Sequence, residues 1–232
     1  MLARACGFES RLRHHLKMDN AISLLSDSNI KSGQLADLVP EFYELKNVVE
    51  NNDWHHKENI FDHTLSVLEN LEKILRTLNK ETKQFLDSRI DHISRRELLK
   101  VATLFHDIAK KETFSNNNGY TLCPDHEDEG SIKARRILKR FMLSNKELEF
   151  VLQIVRHHGI IHRILALDNG DFKKKYASFK KRFSRNIYPE LILLAFADTA
   201  GSYLKKTHPA EFKSRIVFYK KEIENLPPRN KI

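Results

Sequence analysis

Apolar residues spaced three and four apart run through nearly the whole of this chain, and period-two alternation is almost absent. The pattern restricts the chain to packed helices, because a strand buries every second residue whereas a helix buries one stripe per turn. From Leu35 to Val49 the stripe is Leu35, Leu38, Val39, Phe42, Leu45, Val48 and Val49, with Pro40 expected to kink or restart the helix. Between Phe61 and Leu78 the same period recurs through Leu65, Leu68, Leu71, Ile74 and Leu75, and Leu98 to Ile108 forms a shorter, more apolar helix. Asn116-Asn117-Asn118-Gly119 and Pro124 mark Thr113 to Asp125 as a loop, with a small hairpin at Tyr120-Thr121-Leu122. Helices resume near Glu127. Ile132 to Met142 and Lys146 to Arg156 are amphipathic, and Ser144 with Glu147 completes a capping box. Lys173 to Arg185, Leu191 to Tyr203 and Phe212 to Leu226 follow, and Pro227-Pro228 stops the last. The expected fold class is all-α.

A chain of 232 residues has room for one domain with a sizeable core. Its longest apolar run, Leu191 to Ala197, falls far short of the roughly 20 residues that span a bilayer, so no membrane role is expected. Two cysteines, Cys6 and Cys123, make neither a disulfide framework nor a cysteine zinc site, which points to a cytoplasmic protein. No GxGxxG or GxxxxGK[ST] cluster occurs among the seven glycines, so the common phosphate cradles are excluded. A formal charge of +9 favours an anionic partner without naming it. Met1 to Lys17 adds to that balance, with Arg4, Arg11, Arg13 and Lys17 against Glu9 alone. Gly7-Phe8-Glu9-Ser10 can be encoded by GGGTTCGAATCC, which looks like the T-arm of a transfer RNA gene. Residues 1–17 are therefore expected to be a mis-called or disordered extension, with Met18 as the start.

Several ionisable residues sit against apolar helix segments, where burial demands a partner. His106-Asp107 ends Leu98 to Phe105, His63 opens the second helix, His126 follows the loop, His157-His158 ends Phe150 to Arg156, and Asp198 interrupts Leu191 to Ala200. Taken singly, each fits a satisfied core histidine or a helix-terminal residue. Together they suggest a divalent metal, since imidazole and carboxylate are its ligands. His14, His15, His92, His162 and His208 lack this setting and are expected to be exposed; His55-His56 is ambiguous.

These residues resemble the HD-domain metal-dependent phosphohydrolases, whose signature of a His, a His-Asp pair and a distant Asp matches His63, His106-Asp107 and Asp198. Leu104-Phe105-His106-Asp107-Ile108-Ala109-Lys110 is similar to the family's ALLHDIGK motif, with Ala109 where glycine is usual. The resemblance is closest to the HD region of the tRNA nucleotidyltransferase and poly(A) polymerase superfamily. It rests on His55-His56 ahead of Phe61-Asp62-His63-Thr64-Leu65, His126-Glu127 before Gly130, and Leu143 to Glu147, and covers about residues 50–200. No trace of the nucleotidyltransferase head precedes Asn51, so nucleotide addition is not expected.

The resemblance implies an HD-domain helical bundle over residues 51–226, a helical segment over 18–50 and a tail at 227–232. It implies one or two divalent ions (Mn, Fe, Co, Ni, Zn or Mg). Asp107 would bridge two ions, with His63, His106 and Asp198 on the first, and His126, His157 and His158 on the second. Lys110 would reach a phosphate oxygen, the loss of which is worth roughly 5- to 150-fold in rate, and Arg156 would add charge. The implied reaction is hydrolysis of a phosphoester in a phosphorylated small molecule, nucleotide or RNA end by metal-activated water. Two alternatives stand beside it: a non-catalytic nucleotide or RNA-binding module, and a diiron oxygenase. The stretch Phe172 to Phe183 reads either as a nucleic-acid track or as one buried aromatic stripe with a solvated basic face.

Overall fold

A computed structural model describes residues 25 to 226 apart from positions 26, 168 and 185. The expectations for residues 1–17 and for the tail at 227–232 lie outside the described residues. The fold is all-α: two short hairpins are its only sheets among the described residues.

The expected helix from Leu35 to Val49 is instead a chain of short pieces. Helix α1 (Asp27–Lys31) gives way to turns, Pro40 opens the one-turn helix α2 (Pro40–Tyr43), a 3-10 turn covers Glu44–Asn47, and Val49 enters strand β1 (Val49–Asn51). The three-and-four spacing still holds, because successive tight turns also return a side chain to one side. Ile30, Leu35, Val39, Phe42 and Leu45 are all buried in the common core.

The frame is a pair of long helices, α3 (Ile60–Thr77) and α11 (Tyr188–Gly201). Asn59 caps α3 by accepting the Asp62 amide at 2.8 Å. Helix α11 is apolar on nearly every side, Leu191 to Ala195 all being buried, as a central helix must be. Where the two cross, Ser66 Oγ donates to the Gly201 carbonyl at 3.2 Å. A Cβ at Gly201 would meet the Val67 backbone nitrogen at 3.1 Å and Ser66 Oγ at 3.2 Å. Gly201→Ala is therefore expected to destabilise the fold by about 1–3 kcal/mol in urea unfolding, as overpacking does. A variant as stable as the parent would mean that the crossing has slack.

Around this pair lie α4 (Lys80–Asp87), α5 (Arg95–Phe105), α7 (His126–Leu138) and α8 (Asn145–His157), with the single turn α6 (Lys110–Thr113) between α5 and α7. Helices α5 and α8 both open with capping boxes, Ser94 with Glu97 and Ser144 with Glu147. Helices α9 (Ile160–Leu165), α10 (Asn169–Phe183), α12 (Leu204–Thr207) and α13 (Pro209–Glu224) complete the order. In α10 the aromatic stripe is inward: Phe179 and Phe183 are buried, while Lys173, Lys174, Lys175 and Lys181 are exposed.

Strand β1 pairs antiparallel with β2 (His56–Asn59), with Glu50 opposite Glu58. The hairpin β3 (Ser115–Asn117) and β4 (Tyr120–Leu122) turns at Asn118 and Gly119, both with positive φ, the geometry that favours Asn-Gly. No helix among the described residues is long and apolar enough to cross a membrane.

Candidate metal centre

Seven helices and one hairpin deliver ionisable side chains to one place. Helix α5 ends at His106, so His106 and Asp107 leave its last turn pointing into the interior, 1% and 2% exposed. His63 comes from the first turn of α3, and Asp198 from the last turn of α11. Asp125, in the left-handed region, sets His126 at the start of α7, while His158 caps the C-terminus of α8.

Asp107 is the hub. Its Oδ2 lies 3.3 Å from His106 Nε2, 3.8 Å from His63 Nε2 and 3.0 Å from Lys110 Nζ. Its Oδ1 lies 3.5 Å from His126 Nε2 and 3.7 Å from His158 Nε2. Asp198 holds His63 Nε2 at 3.0 Å with one oxygen and His162 Nε2 at 3.0 Å with the other. The backbone sets the tautomers. His106, His126 and His158 each donate Nδ1–H to the carbonyl three residues back, on Thr103, Cys123 and Val155, at 2.7, 2.8 and 2.7 Å. In the neutral ring that leaves every Nε2 a lone pair, all turned toward Asp107.

This donor set fits a cation. His126 Nε2 and His158 Nε2 are 3.3 Å apart with a carboxylate oxygen beside them, an arrangement of acceptors that a metal ion satisfies. His106 Nε2 is buried with no hydrogen-bond partner among the protein atoms. Groups able to ligate among the described residues are His63, His106 and Asp107 on one side, Asp107, His126 and His158 on the other, and His55, Glu58 and His63 behind the first.

The electrostatics favour the ligand forms of His158 and Asp107. Burial, then His106 and His126, push His158 down to about 3, which keeps it neutral. Burial alone would raise Asp107, but His106 and Lys110 more than offset it and hold the carboxyl well below its usual range. Asp198 is lowered in the same way by His162 and His63 against the effect of burial. His63 behaves differently: burial opposes its charge, but Asp198 and Glu58 outweigh burial and raise it to about 10. A cation at His63 Nε2 would replace that proton.

Two residues expected here do not arrive. His157 packs on Phe183 with ring centroids 5.0 Å apart and meets Arg182 at 3.5 Å. Adjacent residues on a helix point about 100° apart, and at the end of α8 it is His158 that faces Asp107 while His157 turns to α10. Arg156 pairs with Asp128 at 3.0 Å and lines no part of the cavity. Lys110, in contrast, is buried, bonded to Glu50 at 2.7 Å as well as to Asp107. With both bonds made, one ammonium proton remains for the cavity that Lys110 lines.

Other residues were missed. His162, expected to be exposed, sits on Asp198 with the Trp54 ring edge-on at 4.8 Å. His92 and His208 are exposed as expected, and His14 and His15 lie outside the described residues. Glu50 and Glu58 face each other across the β1–β2 pair, and buried His55 lies between them at 3.4 and 3.2 Å. Like charges opposed on a sheet repel, and the imidazole together with Lys110 relieves that repulsion. Glu58 also reaches His63 Nδ1 at 3.6 Å, so a carboxylate stands behind one face of the imidazole whose other nitrogen faces Asp198.

The cavity over this cluster has a volume of about 180 Å³, and Trp54, His162 and Arg163 stand at its walls. Arg163 pairs with Glu127. Cys123 lies close by, and burial, with Glu50, pushes its thiol up to about 12, so it offers no thiolate nucleophile.

A helical domain that gathers histidines and aspartates from separate helices around one buried carboxylate has a side-chain cluster of the His/Asp type that could hold a metal ion. The chain belongs to the HD domain family, whose model matches residues 60–200. It is 33% identical over 127 residues to a bifunctional uridylyltransferase/uridylyl-removing enzyme of Cereibacter sphaeroides, covering 54% of this chain and 12% of the relative. The corresponding enzyme of Methylococcus capsulatus is 26% identical over 185 residues, 78% of this chain and 19% of the relative. A multifunctional CCA protein of Pasteurella multocida is 25% identical over 173 residues, 73% of this chain and 36% of the relative. The chain thus spans between about an eighth and about a third of the curated relatives it matches.

Proposed function

We propose that this chain is a metal-dependent phosphohydrolase that cleaves a phosphoester of a nucleotide or RNA end with an activated water. The observation that carries the proposal is the division of Asp107: each of its oxygens faces a separate set of imidazole lone pairs. His63, His106, Asp107 and Asp198 would hold one divalent ion, and Asp107, His126 and His158 a second. Such ions supply charge to a phosphoryl oxygen and lower the pKa of a water toward neutrality. The chain's own groups do the rest. Asp198 orients His162, Glu58 stands behind His63, the three backbone carbonyls fix the imidazole tautomers, and Lys110 offers its remaining proton to a phosphate oxygen in the cavity. No serine or cysteine nucleophile is required. Two relatives are named for uridylyl removal, which supports a nucleotide phosphoester as substrate.

The test is a panel of bis(p-nitrophenyl) phosphate, p-nitrophenyl phosphate and 2′,3′-cyclic nucleotides, offered to metal-stripped chain with Mn, Co, Ni, Fe, Zn or Mg returned. The expected result is turnover that depends on the added ion and stops with chelator. Nucleotide binding without turnover in any metal would instead favour a binding module, and ferrous-dependent oxygen uptake without phosphate release an oxygenase.

A further inference from the structure

A second cavity of about 370 Å³ opens beside the metal cavity, between α9 and α10. The two share Arg163, which lines both. The floor of the second is apolar, formed by Ile160, Ile164, Phe179 and Phe183. Its rim is cationic, with Arg163, Lys175 and Arg182, and no carboxylate lines it. Lys180, five residues after Lys175 and two before Arg182, is paired with Glu222 at 3.0 Å. Lys175 and Arg182 have no carboxylate partner among the described residues; Arg182 lies over the Phe183 ring at 4.9 Å. The buried aromatic stripe and the basic face of α10 are thus two walls of one feature: the stripe supplies the floor and the face supplies the charge.

An apolar floor beside Lys175 and Arg182, neither of which has a carboxylate partner among the described residues, suits a ligand that alternates apolar groups with anions. A lone phosphate would need no floor, and a purely apolar ligand would leave the cations of the rim unanswered. Because Arg163 borders both cavities, a chain whose phosphoester lay at Asp107 would pass Arg163 to place its next nucleotide in the groove. Resting on the hydrolase reading, we infer that this groove is the subsite for the nucleotide adjoining the scissile phosphoester of a single-stranded RNA, with Lys175 and Arg182 on its backbone phosphates. The substrate is then an oligonucleotide end rather than a free mononucleotide.

The test is fluorescence anisotropy of a 5′-labelled eight-nucleotide single-stranded RNA titrated with the full chain in EDTA, so that cleavage cannot intervene. The double variant Lys175→Glu, Arg182→Glu is compared with Lys80→Glu, Lys83→Glu, which makes the same charge change at residues lining neither cavity. The groove variant is expected to bind about 10- to 100-fold more weakly and to lower the slope of log K against log salt by about 1 to 2, as lost phosphate contacts do. The control variant is expected to stay within about twofold of the parent. Equal losses in both variants, no binding by the parent, or competition by an acidic peptide as strong as that by unlabelled RNA would overturn the inference. Hydrolysis of bis(p-nitrophenyl) phosphate, which has no adjoining nucleotide, reports on the hydrolase reading separately.

Discussion

Asp107→Ala is expected to reduce metal-dependent phosphoester hydrolysis by several orders of magnitude, a larger loss than any other single change at the site. The carboxylate lies within 4 Å of His63, His106, His126, His158 and Lys110. Its removal takes one ligand from each imidazole group at once. The isosteric Asp107→Asn keeps the packing and loses the charge, and it should fail nearly as badly if the carboxylate holds ions. Steady-state turnover measured beside circular dichroism separates this from unfolding. A folded Asp107→Asn within about tenfold of the parent would place the chemistry elsewhere.

The second large effect falls on stability. Lys110→Ala takes from buried Asp107 and Glu50 the ammonium that they share, and breaking a buried pair by removing one partner costs about 3–5 kcal/mol. Urea unfolding in EDTA should show that loss, and Glu50→Gln in the same chain should recover part of it. The roughly 5- to 150-fold rate effect expected from the sequence treated Lys110 as a lone phosphate contact, and its two carboxylate bonds change that expectation. A loss under about 1 kcal/mol would mean that Lys110 is not held as described.

Much of the site was legible because burial of an ionisable residue is itself a signal. His63 opens an apolar helix, His106-Asp107 and His158 end one, Asp198 interrupts one and His126 follows the loop, and the structure brings all six to one place. Periodicity alone does not separate His157 from His158: both end the same apolar run, and the choice depends on how α8 rotates against α5 and α10. His162 escaped notice because it stands among residues of a short helix after Gly159 rather than at the end of a long stripe. Its spacing of four from His158 was the available clue. Glu50 and Glu58 lie in a hairpin whose strands are too short to show alternation, so their meeting depends on pairing register, which this sequence does not advertise. The segment from Leu35 to Val49 shows the converse: its apolar spacing is satisfied by turns as well as by a helix, and only Pro40 and the end of the stripe hinted at the break.

The most direct test is the metal content of the full chain, loaded with Mn, Co or Zn, freed of excess ion and measured by elemental analysis. It should be run on the parent and on two neighbouring variants, His158→Ala and His157→Ala. About two ions are expected in the parent, about one in His158→Ala, and about two in His157→Ala, whose imidazole packs on Phe183 away from Asp107. A parent that retains no ion, or equal losses in the two variants, would contradict the account.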